Sequence, residues 1–113
     1  MLAILSTQEG LASYYAHEFQ GKKTSNGEIF DMHKLTAAHR TFPFGTKVRV
    51  TNLRSKQQVI VRINDRGPMK PERIIDLTLA AARAIDLEKA GIERVRVEVL
   101  EWGKATKRVA RRS

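Results

Sequence analysis

Residues 58–68 read QVIVRINDRGP, an alternating segment followed by a sharp turn. The apolar side chains of Val59, Val61 and Ile63 recur at every second position, which is the spacing of one face of a β-strand. The turn at 65–68 contains Gly and Pro, which supply backbone geometries that other residues adopt poorly. This segment therefore predicts a strand that has one buried face and ends in a polar loop.

Neighbouring segments repeat the alternation. Val48 and Val50 alternate in the same way within 46–52, so that segment and 58–64 predict a hairpin. Further strands are predicted at 10–16, 73–77 and 94–100, and a helix capped by Thr78 at 79–85. The pattern at 48–52 recurs at 61–65, which reflects either ordinary strand composition or two related halves of one barrel. Because closure removes the exposed edges of short strands, we predict a mainly β fold of barrel type.

The composition indicates one domain without disulfide bonds. The 113 residues contain no Cys and are 42% hydrophobic, enough for a single core. The apolar run at 1–5 is far shorter than the ~20 residues of a membrane helix and lacks the basic start of a signal peptide. We predict an N-terminal extension at 1–9, a barrel domain at 10–102 and a basic tail at 103–113.

The net charge of +9 is concentrated at the C-terminal end. Five of the 21 basic residues fall within 103–113, which contain no acidic residue. Without them, 16 basic residues stand against 12 acidic ones, a net charge of +4 over 1–102. The tail is interpreted as a solvated segment, with adhesion to an anionic polymer as the alternative. A nucleic-acid partner is not expected, since aromatic platforms for single strands are sparse.

The chain lacks the motifs of several enzyme classes. It contains no Gly-rich phosphate loop, Ser nucleophile elbow or Cys–His pair. The spacing of His17, His33 and His39 matches no helical or finger-type metal motif, so no metal or cofactor is predicted. Polar residues instead gather where strands meet loops, at 24–28, 37–39, 64–68 and 74–77. Each group taken alone has a structural explanation as a turn, cap or strand end.

Taken together, these segments resemble the RlpA-like (rare lipoprotein A) family of lytic transglycosylases. The resemblance runs in family order over five segments: GLASYY at 10–15, GKKTSNGEIFD at 21–31, LTAAHRTFPFGT at 35–46, VRINDRGP at 61–68 and RIIDLT at 73–78. It implies a six-stranded double-psi β-barrel with one or two short helices. It also implies cleavage of peptidoglycan glycan strands, preferably peptide-poor ones, and a location in the bacterial envelope that is periplasmic, outer-membrane-associated or extracellular. The family's lipoprotein signal and C-terminal peptidoglycan-binding repeat are not found in these 113 residues, so anchoring stays open.

The resemblance places functional residues at Glu28, His39 and Asp65, and related double-psi hydrolases carry an acidic residue at the position of Asp76. A lytic transglycosylase cuts between MurNAc and GlcNAc by turning the C6 hydroxyl of MurNAc onto its own anomeric carbon, which forms 1,6-anhydroMurNAc. One carboxyl can therefore serve as acid and then as base. We predict Asp65 for this role, with Asp76 as the alternative because its apolar neighbours would raise its pKa. Glu28 and His39 are expected to orient the acid, stabilise positive charge or hold the sugar.

These four residues are expected to converge along one open trough. Candidate substrate-binding residues beside them are Tyr14, Tyr15, Thr24, Asn26, Asn64 and Arg66. Tyr14 and Tyr15 point to opposite faces of a strand, so one is expected in the core and the other at the surface. Peptidoglycan glycan strands are the expected partner of a monomeric protein, and possible division or envelope protein partners are left open. The alternative function is a non-catalytic, expansin-like module that binds or loosens the cell wall.

Overall fold

The computed structural model describes residues 3–15 and 17–104. The elements in chain order are β1 (Ser6–Tyr14), a 3-10 turn (His17–Phe19), β2 (Thr36–Ala38), β3 (Lys47–Asn52), β4 (Gln58–Asp65), β5 (Arg73–Leu77), α1 (Leu79–Ala84) and β6 (Glu93–Glu101). The predicted basic tail lies outside the described residues from position 105 onward. No helix in the described part of the chain is long and apolar enough to cross a membrane.

The six strands form a closed barrel in the order β1-β5-β2-β4-β3-β6. The pairs β1–β5 and β2–β4 are parallel, and the other neighbouring pairs are antiparallel. This mixed barrel with one short α-helix confirms the predicted mainly β, double-psi architecture. Parallel neighbours cannot be joined by tight hairpins, so the chain crosses between them through long loops.

The barrel interior is built from the alternating residues. Val48 and Val50 of β3 are fully buried, as are Val95, Val97 and Val99 of β6. The helix α1 packs against β1, β4 and β5 and begins where the Thr78 hydroxyl accepts a hydrogen bond from the N–H of Ala81 at 3.3 Å. The core therefore has the strand periodicity read from the sequence.

Two elements differ from the sequence prediction. The first strand begins at Ser6 rather than at residue 10, and Ser6 to Glu9 pair with β6, so this part of the predicted extension belongs to the barrel. The second is β2, whose three residues are all buried. A segment this short and buried on both faces has no alternation by which to recognise it.

Two register irregularities lie on one side of the barrel, in the β1–β5 and β2–β4 pairings. The β1–β5 pairing shifts between Leu11 and Ala12, and the β2–β4 pairing shifts between Ala37 and Ala38. As a result, Ala38 is the register partner of Asp65 on one side and of Asp76 on the other, and Asp76 is also the partner of Ser13. Strands in a sheet lie ~4.8 Å apart, which places the backbones of the two aspartates about 10 Å from each other.

Candidate functional site

An open groove of about 430 Å³ lies over this side of the barrel. Its walls come from the end of β1, the 3-10 turn, the loop after β4 and the strand β5. Asp65 and Asp76 both face it. The barrel thus brings together two carboxyl groups that are far apart in the sequence.

The Asp65 carboxyl is held by hydrogen bonds on both oxygens. Its Oδ1 accepts from the Ser25 N–H at 2.9 Å, the Ser25 hydroxyl at 2.6 Å and the Arg66 N–H at 2.8 Å. Its Oδ2 accepts from the Tyr15 hydroxyl at 2.8 Å. Burial alone would raise the pKa of Asp65, but these donors stabilise the charged form and together hold the pKa below its usual value. Asp65 is therefore an ionised carboxylate at neutral pH.

The Asp76 carboxyl has a different environment. Burial raises its pKa above the usual value, although the Ser13 hydroxyl donates to its Oδ1 and Arg73 and Arg40 lie nearby. Desolvation disfavours the charged form, and the negative charge of Asp65 acts in the same direction. The groove therefore contains one carboxyl whose pKa is lowered and one whose pKa is raised.

Tyr15 and Arg66 are predicted binding residues that line the groove. Burial, followed by the hydrogen bond to Asp65, raises the pKa of Tyr15, so its hydroxyl remains a donor. The Nη1 of Arg66 donates to the carbonyls of His39 at 3.1 Å and Phe42 at 2.8 Å, and its guanidinium carbon lies 3.9 Å from the centre of the Phe44 ring. These contacts fix the position of a cation at the groove wall.

Tyr14 also lines the groove, and its ring packs against the barrel core. Its hydroxyl donates to the Glu88 carbonyl at 3.1 Å. Both tyrosines are half-buried, so the expected division into one core and one surface tyrosine is not observed. The end of β1 places both rings beside the groove.

Glu28 lies on a neighbouring surface that the groove does not include. It accepts two hydrogen bonds from Arg62, at 2.7 and 2.9 Å, and one from the Asn64 amide at 3.0 Å. The Arg62 hydrogen bonds are the largest cause that lowers the pKa of Glu28 to about 2. Glu28 is thus a permanent anion, and proton donation is not among its roles. We call the cavity of about 550 Å³ beside it, which Lys104 also lines, the Glu28 pocket.

The predicted binding residues of the 24–28 loop form hydrogen bonds that stabilise the conformation of the loop. The Thr24 hydroxyl donates to Asn26 Oδ1 at 2.7 Å, and the same oxygen accepts from the Glu28 N–H at 3.0 Å. Asn26 lines the Glu28 pocket, whereas Thr24 and Asn64 are buried. Because Ser25 of this loop binds Asp65, the loop connects the Glu28 pocket to the groove.

His39 does not join the two aspartates. Its ring is 4% exposed and stacks on Phe42 with a centroid distance of 3.6 Å. Its Nδ1 accepts from the N–H groups of Thr41 and Phe42, both at 3.1 Å, and its Nε2 lies 3.0 Å from Gln8 Oε1. Burial is the main reason that the pKa of His39 falls to about 4. Asp65 and Asp76 therefore share one groove as expected, whereas Glu28 faces the adjacent pocket. The largely buried His39 lines a separate cavity with Gln8 and Thr41.

Several residues at the groove were not predicted from the sequence. Ser13 and Ser25 bind the two carboxyls, Arg73 contacts Ser13, and the exposed side chains of Phe19 and Met69 form the rim. One signal was available, since Ser13 and Tyr15 are two residues apart and share a face of the first strand. Within residues 3–15 and 17–104, no cluster of three His, Cys, Asp or Glu side chains could hold a metal ion.

The closed mixed barrel and its carboxylate groove define a protein of the double-psi β-barrel class. The chain belongs to the lytic transglycolase family, whose sequence profile matches residues 7–97. This finding confirms the resemblance seen in the sequence.

Curated relatives carry related names. The chain is 53% identical over 92 residues to a probable endolytic peptidoglycan transglycosylase RlpA of Synechocystis and 58% identical over 89 residues to one of Treponema pallidum. It is 50% identical over 103 residues to the endolytic peptidoglycan transglycosylase RlpA of Campylobacter jejuni. These matches cover 81%, 79% and 91% of this chain but 29%, 28% and 38% of the respective relatives. The chain thus spans about a third of their length.

Solved structures share the fold at low sequence identity. The Streptomyces papain inhibitor superposes with a TM-score of 0.70 at 19% identity, covering 89% of this chain and 100% of the inhibitor. The Clavibacter michiganensis expansin gives a TM-score of 0.70 at 21% identity, covering 88% of this chain and 52% of the expansin. A mutant of that expansin in complex with cellohexaose gives a TM-score of 0.66 at 20% identity, covering 85% of this chain and 51% of the mutant.

Proposed function

We propose that this chain is a lytic transglycosylase that cleaves the MurNAc–GlcNAc bonds of peptidoglycan glycan strands. The observation that carries the proposal is the pair of carboxyls in one groove, Asp65 ionised and Asp76 with a raised pKa. Pairs of titratable groups whose environments push their pKa values apart are typical of acid–base sites. The family and the names of the curated relatives support the same activity.

In the first step, protonated Asp76 donates its proton to the glycosidic oxygen as the bond from that oxygen to C1 of MurNAc breaks. Positive charge develops at C1 and the ring oxygen, and the Asp65 carboxylate stabilises it electrostatically. The donors from Ser25 and Tyr15 keep Asp65 charged and fixed in place. Asp76, the alternative in the sequence prediction, is therefore the better acid, because the pKa of Asp65 is shifted in the wrong direction for that role.

In the second step, the Asp76 carboxylate accepts the proton of the MurNAc C6 hydroxyl as O6 bonds to C1. The 1,6-anhydro ring forms, Asp76 regains its proton and no water is consumed. One carboxyl, that of Asp76, thus serves both steps. The distance of about 10 Å between the two aspartate backbones suits a pair in which Asp76 transfers the proton and Asp65 stabilises the positive charge.

A glycan strand would run from the groove to the Glu28 pocket. Arg66 lines the groove and rests on Phe44, which lines the Glu28 pocket, so the two cavities meet at this cation–aromatic contact. Glu28 and Asn26 would then hold sugar hydroxyl groups distant from the cleaved bond. This proposal includes a preference for peptide-poor strands, a monomeric state and an envelope location that is periplasmic, outer-membrane-associated or extracellular.

The test is mass spectrometry of peptide-free glycan strands after incubation with the purified protein. We expect fragments that end in 1,6-anhydroMurNAc, and we expect Asp76→Asn to lower their release by at least about 1,000-fold. Asp86→Asn is the matched control, since Asp86 is exposed and its carboxyl contacts Arg54 in the β3–β4 turn. Fragments with reducing ends would contradict the transglycosylase reaction, and binding to sacculi without products would support the expansin-like alternative.

A further inference from the structure

A short chain of polar side chains leads from Arg73 to the Asp76 carboxyl. Arg73 Nη1 donates to the Ser13 hydroxyl oxygen at 3.2 Å, and the Ser13 hydroxyl donates to Asp76 Oδ1. Ser13 is 4% exposed and is the register partner of Asp76 in the parallel β1–β5 pairing. The serine is thus held against the carboxyl by the backbone of the barrel as well as by its own hydrogen bond.

Arg73 sets the direction of the Ser13 hydroxyl. A guanidinium group is a donor under all ordinary conditions, so it binds a lone pair of the serine oxygen. The single hydroxyl proton must then point away from Arg73, and it points at Asp76 Oδ1. A serine without this neighbour could instead rotate and accept a proton from Asp76.

The direction of the hydroxyl distinguishes the two oxygens of Asp76. Oδ1 is occupied as an acceptor, so the proton of the neutral acid belongs on Oδ2. Within the described part of the chain, no hydrogen bond ends on Oδ2. Oδ2 is therefore the oxygen available to exchange a proton with a substrate.

Arg73 keeps its position although one of its atoms lacks a partner. Its Nε is buried and is the one buried side-chain polar atom among residues 3–15 and 17–104 without a hydrogen bond. The backbone of Arg73 is held on both sides, since its N–H donates to the Lys70 carbonyl at 3.1 Å and its carbonyl accepts from Arg40 at 2.6 Å. A buried donor without a partner costs free energy, and the two backbone hydrogen bonds hold Arg73 at the groove wall despite that cost.

We propose that Arg73 is a positioning residue that acts through Ser13 to place the transferable proton of Asp76 on Oδ2. This inference rests on the proposed function, in which Asp76 is the acid. The charged and titratable groups that face Asp76 are Arg73 on its own strand, Arg40 after β2, Asp65 at the end of β4 and Tyr15 after β1. Arg40 is committed to backbone carbonyls and Tyr15 to Asp65, so Ser13 is the direct contact through which Arg73 acts.

The experiment compares Ser13→Ala and Arg73→Gln with the wild type. Ser13→Thr, which keeps the hydroxyl, is the rescue variant, and Ser55→Ala and Arg54→Gln in the β3–β4 turn are matched controls. The first readout is the pKa of the Asp76 carboxyl group, followed by NMR through the chemical shift of its carboxyl carbon. This measurement needs no turnover. The second is the pH dependence of kcat/KM on peptide-free glycan.

The Ser13 hydroxyl and the Arg73 guanidinium both stabilise the ionised form of Asp76, so removing either group should raise the pKa of Asp76. For Ser13→Ala we expect a rise of about one unit. The basic limb of kcat/KM should move to higher pH by the same amount, because that limb marks the loss of the acid's proton. At the optimum, we expect kcat to fall about tenfold with KM within about twofold, and Ser13→Thr to restore most of the rate.

An unchanged Asp76 titration in both Ser13→Ala and Arg73→Gln would overturn the inference, as would a loss of rate with an unmoved basic limb. Thermal unfolding measured alongside identifies any variant that is misfolded, and in that case the other variant decides. A wild type that releases no anhydro products would contradict the proposed function instead, while the NMR titration would still report on the contact between Ser13 and Asp76.

Discussion

Asp65 and Asp76 are register partners of the same residue, Ala38, one on each side of β2. Their carboxyls share a groove, yet their pKa values are shifted in opposite directions. Burial raises the pKa of Asp76, which is reached by one hydroxyl, whereas four hydrogen bonds reach Asp65 and outweigh the effect of its burial. The two residues should therefore respond differently to the same substitution.

Asp76→Asn should stabilise the fold at neutral and alkaline pH. A carboxyl with a raised folded pKa contributes its full stability below the unfolded pKa of 3.8 and loses it as the pH rises through the folded value. The amide side chain of the variant does not ionise, so this loss of stability does not occur. Its oxygen can still accept the hydrogen bond from Ser13. We expect a Tm a few degrees above that of the wild type at pH 8 and a smaller difference at pH 4, measured by calorimetry. A lower Tm at pH 8 would show that the carboxylate is not destabilising in the wild type.

Asp65→Asn should destabilise the fold. The ionised carboxylate accepts all four hydrogen bonds, and hydrogen bonds to a charged group contribute more than those to a neutral one. Because the folded pKa is lowered, this stability is present above pH 3.8 and is lost as the pH falls through the folded value. Urea unfolding at pH 7 should show a loss of about 2 kcal/mol, together with a loss of glycan cleavage. Equal stability of Asp65→Asn and wild type would contradict this account of the site.

His39→Gln should change how stability depends on pH. The pKa of His39 is about 4 in the fold against 6.5 for the free side chain, so the unfolded chain binds more protons between these values. Wild-type stability should fall as the pH drops from 6.5 towards 4, by at most about 3 kcal/mol from this residue. Glutamine does not titrate, so the variant should have a flatter curve even though it loses the hydrogen bonds that the Thr41 and Phe42 N–H groups donate to Nδ1. Parallel curves for the two proteins would show that His39 does not titrate as described.

Phe19→Ala should weaken glycan binding without unfolding the barrel. Phe19 is 43% exposed at the groove rim, and its ring meets Tyr15 edge-on with a centroid distance of 5.6 Å. Aromatic faces bind the apolar faces of sugar rings. We expect KM to rise about tenfold with kcat within about threefold, a binding loss of roughly 1.4 kcal/mol. Ile92→Ala, an exposed apolar residue outside the groove, is the control and should leave KM unchanged.

Gly103→Ala should destabilise the barrel. A Cβ at this position would overlap the carbonyl oxygen of Phe44 and lie 2.5 Å from the Thr46 N. Because these neighbours are backbone atoms, we expect a loss of about 1–3 kcal/mol in unfolding free energy. Gly91→Ala is the comparison, since its φ of +79° is costly for alanine but no atom lies within 4 Å of the new Cβ. Equal losses in the two variants would show that the close approach at Gly103 is relieved without cost.

The strands of the barrel wall could be predicted from the sequence because the alternation of buried and exposed residues is visible within each short segment. Val48, Val50, Val61 and Ile63 alternate with polar residues, and that alternation exists in the sequence whatever the rest of the chain does. β2 escaped prediction because it is three residues long and buried throughout. The start of β1 was placed too late because Ser6 to Glu9 are polar or charged and face solvent at alternate positions.

By itself, the sequence determined the fold class, the family resemblance and the list of carboxyls that could act, since residue types and local periodicity are written along the chain. The tertiary structure decided which of those residues meet: it set Asp65 and Asp76 in one groove, turned Glu28 towards Arg62 and stacked His39 on Phe42. It also shifted the pKa values of the two aspartates in opposite directions, raising that of Asp76 and lowering that of Asp65. Burial and hydrogen-bond donors fix a pKa, and both come from residues that are distant in the chain, such as Ser13, Tyr15 and Ser25.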